Sequence, residues 1–350
     1  MRSISLFMLI MLLFSCKKEE PMPCVDETLT NGMVVLCEGL FQQNNSSISW
    51  VNFQDNSVAN SLFVTKTNRQ LGDTGNDMKR YGGKIYVVVN VSSTIEVLDA
   101  LTFESINQIE MVTGGIAKQP RSITFNGSNA YVSCYDGYVD VIDTASLIVT
   151  QRIPVGTNPE GLTIANDKLY VANSGGLNAP VMDSTVSIID LFTHIELQKV
   201  VVGLNPGAML TDQDGDVYAI ARGDYNSIPS RMVRINSQSD LVVDQFGFDI
   251  SGFSKMNDKF LIHYYDYGSS QSSVALFDPA LELVESPSYL EMSSVNTVYG
   301  VEYNASRNRI YLLDAMSFTN TGYVREYDVS GTYIQSFHVG LNPTKLLFYE

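Results

Sequence analysis

Positive charge is scarce in this chain: 350 residues carry 22 Lys and Arg against 38 Asp and Glu, a formal charge of −16. A polyanion would be repelled before contact, which excludes nucleic acid as a partner class. Histidine is rarer still, with three residues, and cysteine numbers four. A zinc centre generally takes several His or Cys ligands, and a serine triad needs a His oriented by a carboxylate. His194, His263 and His338 cannot be argued into one site, and the cysteine spacing fits no zinc pattern, so neither chemistry can be assembled. Long apolar runs are absent too. The longest, residues 4–14, is interrupted only by Ser5 and reaches about half of the ~20 residues that cross a bilayer. No stretch sustains a 3.6-residue apolar period, which excludes a mainly helical domain. What is plentiful is Tyr, Val and Ile in short runs between Gly, Asn, Asp and Ser, the pattern of an all-β chain. With 45% hydrophobic residues the chain can bury a sizeable core.

Residues 1–15 read as a signal peptide, with Arg2 before the apolar run. The run ends Leu13-Phe14-Ser15-Cys16, which resembles a bacterial lipobox and implies a lipid on Cys16. The following Lys17-Lys18-Glu19-Glu20 resembles the charged export tags of Bacteroidetes surface lipoproteins, implying an outer-membrane, surface-exposed protein. Residues 16–31, punctuated by Pro21, Pro23 and Cys24, read as a lipidated tether, and residues 32–350 as one domain. Cys37 and Cys134 lie in apolar strand sequence and are expected as buried small hydrophobes, although Cys24 and Cys37 could form a staple.

A repeat runs through the domain. The segments ISWVNF, IEVLDA, VDVIDT, VSIIDL, MVRINS, VALFDP and VREYDV end on Asn52, Asp99, Asp143, Asp190, Asn236, Asp278 and Asp328, spaced 42 to 50 residues apart. Each is preceded by a second strand, and five of these carry Tyr at one position: Tyr86, Tyr131, Tyr170, Tyr218 and Tyr311. Each anchor is followed by a third strand and a Pro or Gly turn into a fourth. Four strands per repeat at this period predict a seven-bladed β-propeller. The last repeat turn, VGLNPTKLLFY, has no blade after it, while the first repeat opens at Met33 with its second strand. The C-terminal strand is therefore expected to complete the first blade, closing the ring and removing open sheet edges.

In such a blade the connections from second to third strand and from blade to blade emerge on one face. From the Tyr position to the anchor the chain runs 12 or 13 residues in blades three and two, but 20, 18 and 17 in blades four, five and seven, so long hairpins wall one arc. Candidate ligand contacts on these hairpins are Tyr135, Asp136, Tyr138, Asn173, Arg222, Asp224, Tyr225, Tyr264, Tyr265, Asp266, Tyr267 and Phe318. The blade-to-blade connections add Arg121, Glu160 and Tyr299. Tyr gives a wide, stiff contact area with a polar tip and suits a preformed site, although it also favours strands for its own sake. No catalytic constellation and no metal set emerges. Asp77, Glu160 and Asp136 are the carboxylates a calcium ion at the axis would draw on, and solvated loop acids are the simpler reading. The run Thr211 to Tyr218, TDQDGDVY, lacks the Glu of a calcium loop and reads as a turn.

The repeat unit, YVAN followed by VSIID and VGLNPGA, resembles the YncE-like family of seven-bladed propellers over residues 31–350. Lipobox and tag make the chain similar to the Bacteroidetes surface lipoproteins that bind cobalamin above an outer-membrane transporter. That resemblance implies cobalamin as ligand rather than cofactor, a TonB-dependent transporter as partner, a lipid anchor in the membrane and a monomeric ring. No ligand residue carries over by motif. Two other classes stay open: a propeller for a glycan or partner protein, and a metal-dependent enzyme of the lactonase or lyase type.

Overall fold

The computed structural model describes residues 28–266 and 271–350. Cys16, Cys24 and the tether up to residue 27 lie outside them, as does Tyr267. The second strands read as near-continuous apolar runs because both of their faces are buried. In Lys84–Val89, Ile85, Val87 and Val89 pack toward blade one, whereas Tyr86 and Val88 pack toward blade three. This two-residue alternation recurs, giving seven apolar cores, one in each interface between neighbouring blades. The sheets holding them are seven four-stranded antiparallel blades.

The ring closes as the sequence predicts. The last strand, Pro343–Tyr349, pairs antiparallel with the first, Gly32–Cys37, and becomes the inner strand of blade one. Additions to the plain repeat are a short helix, Leu62–Thr67, and a small hairpin of Val112–Thr113 with Ile116–Ala117, both in blade-to-blade connections.

The seven anchors are turn formers. Asp99 Oδ1 accepts the backbone N–H groups of Leu101 and Thr102, Asp143 those of Ala145 and Ser146, and Asp190 those of Phe192 and Thr193. Each closes the hairpin from third to outer strand on the lower face. The five repeat tyrosines are fully buried, as strand residues should be. Some tie a blade to the lower turn of the next: the Tyr131 hydroxyl bonds to His194 Nε2 at 2.9 Å, and Tyr170 donates to Asp240 at 2.6 Å. Cys37 and Cys134 are buried free thiols, with burial pushing the Cys37 pKa up to about 12. The Asp-rich run is the expected turn, in which Asp212 and Asp216 bond to each other between Pro206–Thr211 and Val217–Ala221.

On the upper face a left-handed residue, Gln119, Asn158, Asn205 or Asn342, precedes the inner-strand proline in four blades. Its carbonyl accepts the N–H of the residue leaving the second strand: Tyr135, Ser174, Arg222 and Glu38 respectively. Asn adopts this backbone more readily than most residues, which explains the repeated Asn-Pro.

Candidate functional site

The inner strands carry the device that builds the upper mouth of the ring. In six blades the register against the second strand slips by one residue just inside the inner strand, at Asn76, Arg121, Glu160, Gly207, Tyr299 and Thr344. A bulge of this kind leaves a residue unpaired and re-aims its side chain. Blade six has no slip: Gly252 pairs with His263 and Phe253 with Ile262 in even register.

Three bulge residues, Arg121, Glu160 and Tyr299, meet three residues that leave second strands, Glu38, Tyr135 and Arg222. Arg121 donates to Glu160 at 3.2 Å, and the Arg222 guanidinium lies 3.7 Å from the same carboxylate. Tyr135 donates its hydroxyl to Glu160, and Tyr299 donates to Glu38. Arg121 also lies over the Tyr135 ring, 4.8 Å from its centroid. Gly207 leaves room for Arg222, because a Cβ there would come within 2.4 Å of the guanidinium and displace it.

Two carboxylates in one network are held in opposite directions. Burial would raise Glu160, but Arg121 and Arg222 outweigh it and hold the pKa at about 2. Burial raises Glu38 above its ordinary value, with the Tyr299 hydrogen bond and Arg121 opposing. Burial and the neighbouring carboxylates push the Tyr135 and Tyr299 hydroxyls upward, so both remain donors at neutral pH.

Beside this network lie two cavities. One, of about 580 Å³, is lined by Arg222, the loop Tyr225 to Ser230, Asp249 to Ser251, and Tyr265. The other, of about 460 Å³, is lined by Ser251, His263, Tyr265, Thr297, Val298, Tyr299 and Phe318. They share Ser251 and Tyr265, so the pair forms a groove across blades five to seven.

The structure thus gathers Arg121, Tyr135, Glu160, Arg222 and Tyr299 around the axis, with Tyr225, Tyr265 and Phe318 along the groove. It takes the remaining candidates elsewhere. Asn173 is fully buried, accepting from the Gly156 N–H and donating to Thr185 and Ser187. Asp224 turns inward on its own loop, accepting the N–H groups of Asn226, Ser227 and Ile228. Tyr264 points opposite to Tyr265, as neighbours on a strand must; it packs on the core between blades five and six and donates to the Pro287 carbonyl. Asp136 pairs with Arg152 at 2.5 Å, and Arg152 stacks 4.1 Å from the Tyr138 centroid, so both candidates belong to a cluster on the outer strands. Asp266 ends its strand through its backbone, opposite Gln271.

Two residues at the site escaped the sequence reading. Glu38 leaves the second strand of blade one at the repeat position that Tyr135 and Arg222 hold in theirs, a signal visible once the repeats are aligned. His263, which the sequence places in no site, faces the groove because Gly252 opposite it has no side chain; a Cβ there would lie 2.3 Å from His263 Nε2. The carboxylates considered for calcium are not brought together. Glu160 is engaged by two arginines, Asp136 by Arg152, and Asp77 by Ser122, the Ile123 N–H and Lys79. Among the described residues no three His, Cys, Asp or Glu side chains are grouped as a metal would need.

No curated protein matches this sequence. Among solved structures, the chain is similar to a quinonprotein alcohol dehydrogenase-like protein of Bacteroides thetaiotaomicron, with 13% identity, TM-score 0.68, and coverage of 92% of this chain and 79% of that one. It is also similar to a putative 6-phosphogluconolactonase of Bacteroides fragilis, with 12% identity, TM-score 0.64, and coverage of 91% and 98%. Hydrazine synthase of Kuenenia stuttgartiensis gives 16% identity and TM-score 0.62 over 75% of this chain and 85% of that one. Likeness at such identities is likeness of fold. At the level of family the match is direct: residues 31–252 fit the domain of unknown function DUF5074, and the chain belongs to that family.

Proposed function

We propose that this propeller is a binding protein for a bulky, amide-rich small molecule, with cobalamin as the first candidate, and that it presents this ligand to a TonB-dependent transporter from a lipid anchor on the outer membrane. The observation that carries the reading is the groove of two joined cavities beside the Arg121–Glu160–Arg222 network. Its walls combine Tyr, Phe, Ile, Val and Pro with Ser, Asn, Thr and His, and carry charged side chains at Arg222 and Asp249. Such a surface offers wide apolar contact with scattered donors and acceptors, which suits a large ring fringed with amides. Anchor and surface location are supported by the lipobox and tag resemblance alone. We read the site as binding rather than catalytic because each of its carboxylates is engaged by the protein: Glu160 by two arginines and a tyrosine, which leaves it little basicity, Glu38 by Tyr299, and Asp249 by Ser230.

Calorimetric titration with cyanocobalamin tests the ligand. Saturable heat is expected from the parent protein. A Tyr225→Ala, Tyr265→Ala variant should bind about thirtyfold more weakly, the effect of ~2 kcal/mol from truncating aromatic anchors, while melting like the parent. Absence of heat and of thermal shift at high micromolar cyanocobalamin removes cobalamin as the ligand.

A further inference from the structure

Within the groove, the cavity between blades six and seven has a chemistry of its own. Its lining, Ser251, His263, Tyr265, Thr297, Val298, Tyr299 and Phe318, contains three aromatic rings and one imidazole. His263 is 7% exposed, and among the described residues neither ring nitrogen has a hydrogen-bond partner; Nδ1 is sealed from solvent. A buried polar side chain left unpaired is costly and in native proteins generally has a reason. Burial, with the Lys345 charge adding to it, lowers its pKa to about 4, so the ring is neutral at physiological pH.

A neutral imidazole carries one N–H. Stranding that proton on sealed Nδ1 would bury an unpaired donor, so it belongs on Nε2, which lies against Gly252. The even register of blade six aims no bulge residue across this point. The Tyr299 hydroxyl is spent on Glu38, so Tyr299 can offer the cavity its ring, set edge to face against Phe318 with centroids 5.8 Å apart. With His263 neutral, none of the lining side chains bears a charge. Lys345, whose charge acts on His263, and Glu38, bonded to Tyr299, are not among the lining residues, so an ionic group entering here would lose its hydration with no counter-ion in direct contact, whereas an uncharged acceptor would lose little.

We infer that this cavity is a subsite for a flat, uncharged hydrogen-bond acceptor, an aromatic or conjugated carboxamide, whose carbonyl takes the His263 N–H and whose plane lies among Tyr265, Tyr299 and Phe318. This deepens the binding reading above and rests on it for the rest of the ligand.

Benzamide is the probe, with benzoate and benzylamine as its anionic and cationic counterparts. In protein labelled with ¹⁵N-histidine, benzamide should move the His263 ring signals saturably at concentrations on the order of 10 mM, leaving His194 and His338 in place, and the two charged probes should not. His263→Phe should weaken benzamide at least tenfold by ligand-observed NMR; should that variant fold poorly, Phe318→Ala, which removes a half-exposed ring, should do the same. A His263 signal unmoved by benzamide, or moved equally by benzoate, overturns the subsite. Cyanocobalamin is titrated separately. If it binds the parent and His263→Phe alike, undisturbed by saturating benzamide, the subsite is overturned and the binding reading stands. If benzamide binds and cyanocobalamin does not, cobalamin is overturned and the subsite stands.

Discussion

Glu160 and Glu38 lie in one network but couple to stability with opposite signs. The folded pKa of Glu160, about 2, lies below the ordinary 4.5, so ionised Glu160 stabilises the fold. That contribution is fully present above about pH 4.5 and is lost as pH falls toward 2. Glu38 is raised, so its ionised form costs stability above the ordinary carboxylate range, and the cost is relieved on acidification. Glu160→Gln leaves the Arg121 and Arg222 guanidiniums without their shared counter-ion, an expected loss of about 3 kcal/mol in urea unfolding at pH 7. The deficit should shrink as pH falls from 4.5 toward 2. Glu38→Gln, which keeps an acceptor for Tyr299, should match or exceed the parent at pH 7. A Glu160→Gln protein as stable as the parent at neutral pH would mean that solvent, not Glu160, balances the arginines.

Strands and turns decide how these residues meet, and the closing strand is the most exposed test of that scaffold. Removing Thr344 to Glu350 strips the inner strand from blade one, including Leu346 and Tyr349 from two inter-blade cores. The edge left on Gly32–Cys37 is long and apolar, so the loss should exceed that of a surface truncation and bring aggregation on warming. A truncated protein melting within a degree or two of the parent would contradict closure through this strand. The blades were legible because each repeats its own chemistry, alternating apolar residues and an Asp or Asn that closes the lower turn, and because three of them open their inner strand on Asn-Pro. The site was legible where it inherits repeat positions, as Arg121, Glu160 and Tyr299 do. It was illegible where direction matters more than composition. Tyr264 and Tyr265 look alike in sequence, yet strand alternation sends one into a core and the other into the groove. Asn173 and Asp224 look like free loop polars, but each meets backbone donors that only the folded turns supply.

For the whole molecule, the informative relation is between the point where the chain enters the ring and the place where the groove opens. The Leu29 N–H bonds to the Leu101 carbonyl, in the lower turn of blade two, and Leu29 is buried in the core between blades one and two. The groove lies among the upper connections, on the opposite face. On the proposed lipid anchor at Cys16, this entry point favours attachment from the lower side, with the mouth open for ligand. Two results are expected together. Cys16→Ser should release the protein from the membrane fraction, since the apolar run before it is too short to span. The released domain should titrate with cyanocobalamin as tightly as the lipidated protein does on vesicles, because the described chain enters the ring at Leu29, on the face opposite the groove. Fractionation measures the first and calorimetry the second. Membrane association unchanged in Cys16→Ser would remove the anchor, and binding that weakens on vesicles would place the mouth toward the lipid rather than away from it.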